Sequence, residues 1–314
     1  MIRILLWIHL KSLNNYRSGF VTLLGRPNVG KSTLINELIG KKITITSPIP
    51  QTTRKKLKGI LTTEDGQIIF VDTPGIHKPH HRLGEILVKN AKSSIKGVDI
   101  VIFVLDSSDD PGRGDVYIKD FLAENLIDFI VILNKWDLVD DDLRNSRLEK
   151  YKRFFGNNKN LLKVSAIDGE GCSQLVEKLF TLLPKGPKLY EEDTICDQPI
   201  SNLLSDLVRE QVLINTREEV PHSVAVKIEK IEKIKRNGKS FSAILATIIV
   251  ERMSQKGILI GKKGSMLKTI GQSARSNMSK LINSPVHLEL FVKVVPKWRK
   301  KESRLIEFGY KEDS

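Results

Sequence analysis

The chain has 314 residues, 40% of them apolar and 28% charged, which is typical of a globular protein with room for two domains. Its net charge is +14, and residues 201–314 carry 22 Lys and Arg against 12 Asp and Glu. This basic final third indicates a polyanionic partner, nucleic acid or an acidic membrane surface, although a solvated lysine-rich surface accounts for the charge equally well. The two cysteines lack metal-ligand spacing and fit a reducing, intracellular location.

Residues 1–10 form a mostly apolar run that is too short to span a bilayer and lacks the cleavage site of a secretory signal. We therefore expect residues 1–17 to be a loosely attached extension. Weak contact with a membrane surface is the minority interpretation. No later segment is apolar enough to cross a membrane, which argues against an integral membrane protein.

Residues 25–32 follow the pattern G-x-x-x-x-G-K-S, between a predicted buried strand at 20–24 and a predicted helix at 33–39. In this context the glycines let backbone N–H groups face phosphate oxygens at a helix N-terminus. Lys31 is then expected to reach the β- and γ-phosphates, and the Ser32 hydroxyl to bind Mg²⁺. The predicted nucleotide contacts in this loop are Gly25, Arg26, Pro27, Asn28, Val29, Gly30, Lys31, Ser32 and Thr33.

The following residues alternate between predicted strands and helices, after a polar stretch at 41–56 that we expect to be a mobile loop. An Asp65-Gly66 turn predicts a hairpin. The other predicted elements are strands at 58–63, 67–71, 99–106, 128–133 and 161–164, and helices at 83–95 and 116–124. This order predicts an α/β domain with a mostly parallel sheet, helices on both faces, and ligands at the carboxyl ends of the strands.

Polar residues stand after several of these strands. Asp72 is placed to hold a Mg²⁺-bound water, and it is followed by Thr73, Pro74, Gly75 and Ile76. The backbone N–H of Gly75 is expected to meet a γ-phosphate.

Two further loops predict guanine recognition. Residues 134–137 fit N-K-x-D, so the Asp137 carboxylate is expected to accept hydrogen bonds from N1–H and the 2-amino group of guanine. Lys135 is expected to cover the base, Asn134 to tie this loop to the phosphate loop, and Trp136 to lie within the site. A backbone N–H of Ser165 or Ala166 is expected to meet guanine O6. Each motif alone also fits an ordinary turn, but their order predicts a site for GTP and GDP.

Together these motifs resemble the small GTPases related to translation factors. The resemblance implies a first switch at Gln51, Thr52, Thr53 and Arg54, with Thr53 favoured over Thr52 as the sensor of Mg²⁺ and γ-phosphate. It implies Mg²⁺ ligation by Ser32, Thr53 and Asp72, and catalytic roles for Lys31, Asn28, Thr53 and Gly75.

Ile76 stands where Ras-like enzymes carry a water-orienting glutamine, so slow intrinsic hydrolysis is expected. The resemblance to related GTPases with an asparagine at the position of Asn28 implies bound K⁺ as an additional positive charge.

A second domain is predicted after a Pro- and Gly-rich linker at 184–200. Its elements are a helix at 201–213, strands at 222–235 and 240–251, two helices around Gly261-Lys262-Lys263-Gly264, and a strand at 286–294. This order resembles a type II KH domain, whose G-x-x-G loop holds a single-stranded nucleic-acid backbone. The predicted RNA contacts are Gly257, Ile258, Ile260, Gly261, Lys262, Lys263, Gly264 and Lys268. Ile258 and Ile260 also fit core positions, and Trp298 fits either base stacking or the sheet edge.

The chain from about residue 18 to about residue 300 resembles the Era family, closely so at residues 251–257. The resulting domain assignment is an extension at 1–17, a GTPase domain at 18–183, a linker at 184–200, a KH domain at 201–300 and a tail at 301–314. The resemblance implies a GTP-hydrolysing switch that binds 16S rRNA near its 3′ end and acts in 16S rRNA processing and small (30S) ribosomal subunit biogenesis. It implies a cytoplasmic monomer, in part peripheral on the inner membrane.

Two alternatives remain open at this point. One is a membrane-associated signalling or cell-cycle GTPase that uses the basic domain on acidic lipid. The other is a metabolic or RNA-modifying GTPase, although residues 201–314 contain no catalytic constellation.

Overall fold

The computed structural model describes residues 15–46, 57–72, 95, 97–156, 161–218, 220–236 and 239–308. These residues form two compact units. The first unit contains residues 15–41 and the described residues from 57 to 197, and the second contains residues 42–46 and the described residues from 198 to 308. Residues 42–46 thus join the second unit, although they lie inside the range assigned to the GTPase domain from sequence.

The first unit contains a six-stranded sheet in the order β2-β3-β1-β4-β5-β6. Its strands are β1 Arg17–Leu24, β2 Leu57–Thr62, β3 Gly66–Asp72, β4 Ile100–Asp106, β5 Ile130–Asn134 and β6 Leu161–Lys163. Its helices are α1 Lys31–Ile39, α2 Arg113–Glu124, α3 Asp141–Phe155 and α4 Cys172–Leu182. Only the β2–β3 pair, the predicted hairpin, is antiparallel, so the predicted mostly parallel sheet is confirmed.

The central strand β4 is apolar and buried from Ile100 to Leu105, because both faces of the sheet are covered. Phe103 on β4 is fully buried and packs edge-on against Phe155 of α3, with ring centroids 5.6 Å apart. Each such buried aromatic or aliphatic side chain contributes about 1.5–3 kcal/mol. The core therefore fixes the carboxyl ends of the parallel strands, and the predicted site residues stand at those of β1, β3 and β5.

Residues 184–197 form the linker segment, which hydrogen-bonds with β2 and with the loop before β1. The backbone N–H of Ile60 donates to Ile195 O at 3.0 Å, and Gly186 N donates to Tyr16 O at 3.0 Å. Tyr16 and Arg17 lie within the predicted extension, yet β1 begins at Arg17 and its guanidinium donates to Leu183 O. This part of the predicted extension therefore belongs to the ordered fold.

The second unit is a three-stranded sheet in the order β7-β8-β9, with β7–β8 antiparallel and β8–β9 parallel. Its strands are β7 Ala225–Arg236, β8 Lys239–Val250 and β9 Val286–Val294. Its helices are α5 Ile200–Asn215, α6 Val220–Ser223, α7 Met253–Ile260, α8 Ser265–Leu281 and α9 Glu302–Glu307. The predicted α-β-β-α-α-β order is confirmed, with two short helices added.

Helix α8 illustrates how sequence pattern sets this packing. Ile270, Ala274 and Met278 recur every fourth residue and are fully buried, so they form one apolar face. Lys268 and Arg275 lie elsewhere on the helix and are exposed. Across the described part of the chain, no helix is both long and apolar enough to traverse a bilayer.

Candidate nucleotide site and G-x-x-G loop

The phosphate loop connects β1 to α1 and depends on glycine at two positions. A Cβ atom at Gly25 would lie 2.4 Å from Val104 O, and one at Gly30 would lie 2.2 Å from Asn134 Nδ2. Gly30 also has φ +95°, in the left-handed region that other residues rarely adopt. The loop therefore holds its backbone close to β4 and β5, at the N-terminus of α1.

Lys31 is buried and folds back over this loop. Its ammonium donates to Gly25 O at 3.1 Å and to Arg26 O at 2.8 Å. Burial lowers the pKa of Lys31 to about 8, and the nearby Asp72 carboxylate opposes that shift. A phosphate group would supply a further negative charge and favour the protonated form.

Ser32 and Asp72 come together from α1 and β3. The Ser32 hydroxyl donates to Asp72 Oδ2 at 3.2 Å, and Asp72 is fully buried. A hydroxyl and a carboxylate form an oxygen-only donor pair of the kind that Mg²⁺ prefers. The residues present therefore fit a Mg²⁺ site next to the phosphate loop.

Arg26 is engaged away from the loop itself. Its Nε donates to Asp115 Oδ1 at 2.9 Å, and the fully buried Asp115 also accepts a hydrogen bond from Gly112 N at the start of α2. Burial raises the pKa of Asp115, while the Gly112 bond and the Arg26 charge oppose it. The side chain of Arg26 thus fixes the loop to α2, and its backbone carbonyl holds Lys31.

Asn134 makes the connection that the sequence predicted. Its Nδ2 donates to Val29 O at 2.8 Å, and its Oδ1 accepts from Ala166 N at 3.1 Å. One amide therefore joins the phosphate loop, the N-K-x-D loop and the Ser165-Ala166 loop. The Ala166 N–H already donates to Asn134 Oδ1. It can therefore donate to guanine O6 only if the two oxygens share this one N–H.

The other residues of the N-K-x-D loop differ in exposure. Asp137 has one buried carboxylate oxygen, Oδ1, with no hydrogen-bond partner among the described residues. Such an acceptor suits the paired N–H donors of guanine. Trp136, by contrast, is buried in the core with Phe103 and Tyr151. Its side chain therefore anchors the N-K-x-D loop to the core of the first unit.

Asp106, at the end of β4, is a further residue of the site that no sequence motif marks. Its Oδ2 lies 2.5 Å from Lys135 Nζ, and its Oδ1 accepts from Ser108. Burial alone raises the pKa of Asp106, but the hydrogen bonds from Lys135 and Ser108 outweigh it and lower the pKa overall. The sequence did contain a signal for Asp106. It is a carboxylate at the end of an apolar strand, and that strand pairs with β5, which leads into the N-K-x-D loop.

Several predicted site residues lie outside the residues that the structure describes. They are Gln51, Thr52, Thr53, Arg54, Thr73, Pro74, Gly75 and Ile76, together with residues 83–94 of the helix predicted at 83–95. Their assigned roles stay predictions.

In the second unit, the G-x-x-G segment joins α7 to α8 through a short 3₁₀ turn at Lys262–Gly264. Gly261 and Gly264 have φ of +70° and +80°, and a Cβ at Gly261 would lie 2.7 Å from Met266 Cβ. Lys262 and Lys263 are exposed. The loop therefore presents two ammonium groups on a backbone that only glycine readily allows.

Helix α7 divides its apolar residues between core and surface. Leu259 is fully buried, Ile258 is 46% exposed and Ile260 is half-buried. The start of the helix is fixed by the buried Gln255, whose Oε1 accepts from Glu251 N and Arg252 N at 2.9 and 3.0 Å. These two hydrogen bonds hold the N-terminus of α7, and through the helix they help to position the G-x-x-G loop that follows it.

Trp298 lies in the core and not on a base-binding surface. It is 1% exposed, packs on Ile249 and Phe308, and donates from Nε1 to Ser223 O at 3.0 Å. Of the two interpretations left open, the structure therefore excludes base stacking, because the side chain packs inside the second unit.

The fold and the two sites define the class of protein first: a P-loop GTPase domain joined to a KH domain. Residues 20–135 match a family described as 50S ribosome-binding GTPase, and residues 219–299 match the KH domain family.

Comparison with known proteins identifies the family. The chain is 52% identical over 295 residues to GTPase Era of Rippkaea orientalis, covering 94% of this chain and 93% of that protein. It is 51% identical over 297 residues to GTPase Era of Synechocystis sp., with the same coverage. A crystal structure of Era in complex with MgGDPNP and nucleotides 1506–1542 of 16S ribosomal RNA is 38% identical, with a TM-score of 0.84 over 94% of this chain and 99% of that one. The chain belongs to the Era family of GTPases.

Proposed function

We propose that this protein is a GTP-dependent switch that binds the single-stranded 3′ end of 16S rRNA and acts in 16S rRNA processing and assembly of the small (30S) ribosomal subunit. The observation that carries the proposal is the combination, in one chain, of a guanine-type nucleotide site and an exposed Gly261–Gly264 loop. The related Era structure that contains MgGDPNP and 16S rRNA nucleotides supports this pairing of ligands.

In the proposed site each residue has a separate task. Lys31 and the backbone N–H groups of the phosphate loop bind the phosphates, and Asp137 selects guanine. Ser32 and Asp72 hold Mg²⁺, with Thr53 as the third group. Bound Mg²⁺ supplies positive charge at the phosphate oxygens.

Hydrolysis is proposed to be slow without a further positive charge, because Ile76 cannot orient water through a hydrogen bond. Asn28 is exposed in the phosphate loop with φ +65°, a backbone conformation in which asparagine is enriched. We place K⁺ near Asn28, and assign Thr53 and Gly75 to the γ-phosphate. Equal GTP hydrolysis rates in K⁺ and Na⁺ buffers would rule out the K⁺ site.

The RNA is proposed to bind at the glycine loop and along the exposed face of α7. Lys262, Lys263 and Lys268 are exposed and contribute phosphate contacts, while the exposed part of Ile258 packs against a base. The missing side chains at Gly257, Gly261 and Gly264 allow the RNA backbone to come close, and Ile260 lines the groove.

The test measures binding of a labelled RNA that copies the 16S rRNA 3′ end, by fluorescence anisotropy with GDP and with GDPNP. GDPNP should tighten binding, and Gly264→Asp, which forces a side chain onto φ +80°, should abolish it. Removing both loop lysines should reduce the slope of log K against log salt by about 1.4. The matched control removes two exposed lysines of β7, Lys233 and Lys235, and should leave the slope unchanged. Equal RNA affinity in the Gly264→Asp variant would refute the assignment of the loop.

The cellular location and the oligomeric state extend this proposal. A ribosomal RNA ligand favours a cytoplasmic location, with any peripheral contact on the inner membrane secondary, and the protein is proposed to act as a monomer. Binding to anionic vesicles that persists after RNase treatment, without RNA binding, would favour the membrane-associated signalling alternative.

A further inference from the structure

A short segment directly after the phosphate-loop helix is fixed by a buried carboxylate in the second unit. We call residues 42–46 the strap. The Glu210 carboxylate on α5 accepts from Thr46 N at 2.7 Å and from Thr46 Oγ1 at 3.2 Å, and it lies 2.6 Å from Lys42 Nζ. Glu210 is fully buried, and the three strap residues between Lys42 and Thr46 are also buried.

We propose that Glu210 is the positioning residue that transmits the nucleotide state to the KH domain, by fixing the strap to the first helix of that domain. This inference rests on the proposed function, because it concerns how GTP gates RNA binding.

The chemistry of Glu210 makes this attachment strong. A fully buried carboxylate needs its charge and its lone pairs satisfied, and here one oxygen bonds to Thr46 while the other bonds to Lys42 and to Gln211 Nε2 at 3.3 Å. Withdrawal of the strap would remove three of these four interactions. The strap and α5 are therefore expected to move together.

The position of the strap in the chain gives the attachment its meaning. It lies between α1, whose N-terminus forms the phosphate loop, and the predicted switch residues Gln51–Arg54. Beyond the switch, Lys58 N donates to Asp197 Oδ1 at 2.9 Å, and Asp197 N donates to Lys58 O at 3.1 Å. Asp197 precedes α5 by three residues. The predicted switch thus lies in sequence between two attachment points. The strap before it is bonded to Glu210 on α5, and Lys58 after it is bonded to Asp197, three residues before α5.

The test compares wild type with Glu210→Gln, which keeps the shape and removes the charge, and with Lys42→Met, which removes the ammonium from a partly exposed side chain. The matched control is Asp206→Asn on the same helix, where the carboxylate pairs with Arg209. RNA affinity is measured with GDP and GDPNP, and hydrogen exchange of peptides from α5 is measured with both nucleotides in the absence of RNA. Circular dichroism establishes that each variant is folded.

In wild type, GDPNP should tighten RNA binding by about fivefold or more and change the exchange of α5. In Glu210→Gln and Lys42→Met, the differences between GDPNP and GDP in RNA affinity and in α5 exchange should both fall below about twofold. The affinity for GTP should stay unchanged, and Asp206→Asn should behave as wild type. A folded Lys42→Met variant tests the inference if Glu210→Gln does not fold. Full retention of both differences in the folded variants would overturn the inference. Absence of RNA binding in every protein would instead overturn the proposed function, and the exchange measurement would still test Glu210.

Discussion

Replacing Gln67 by leucine should release the linker segment from the GTPase domain. Gln67 is fully buried at the second position of β3, and its Oε1 accepts from Leu189 N and Tyr190 N, both at 2.8 Å. Its Nε2 donates to Tyr190 O at 3.0 Å and to Thr62 Oγ1 at 2.9 Å. At about 0.5–1.5 kcal/mol for each bond, and with water able to reach the exposed Leu189, the three linker bonds contribute about 3 kcal/mol.

Native-state trypsin cleavage measures this loss, because Lys185 and Lys188 lie in the exposed part of the linker segment. If opening is fast relative to cleavage, a loss of about 3 kcal/mol raises the cleavage rate by roughly a hundredfold. Thr62→Val is the matched control, since it removes one partner of Gln67 and keeps all three linker bonds, and its rate should change by less than about fivefold. A Gln67→Leu protein that resists trypsin as well as wild type would refute the reasoning.

Two further predictions concern Asp106 and Cys172. Asp106→Asn should weaken the binding of GTP and of GDP by the same factor, about fivefold. The reason is that the Asp106 carboxylate orients Lys135 at the base end of the site, where the two nucleotides are identical. A fluorescent-nucleotide titration in which only GTP binding is weakened would contradict this role. Burial, with a smaller contribution from Glu37, raises the pKa of Cys172 to about 11, so iodoacetamide alkylation should be slow at pH 8 and should accelerate in urea. Alkylation of Cys172 that is equally fast with and without urea would argue against this burial. Since the thiol holds its proton more strongly in the folded state, this group should also make the free energy of unfolding fall as pH rises from about 9 to about 11.

The parts of the site that sequence predicted are those whose geometry is local. The phosphate loop depends on glycines at fixed spacing between a strand and a helix, and a Cβ at Gly30 would meet Asn134. The residues that end parallel strands meet at one edge of a sheet, which is why Asp72 and Asn134 were placed near the loop. Such relations need only the order of elements, which apolar periodicity gives.

Gln67 and Glu210, which sequence also missed, are polar side chains whose partners lie far along the chain. Gln67 bonds to residues more than 120 positions away, and Glu210 to a segment 164 positions before it. Periodicity nevertheless carried a signal for Glu210, because it lies seven residues after Leu203 and three after Leu207, on the buried face of α5. A carboxylate at that spacing must find buried donors or be expelled to water. Where such a residue interrupts an apolar face, the sequence therefore marks the site of a long-range attachment, while only the fold identifies the partner.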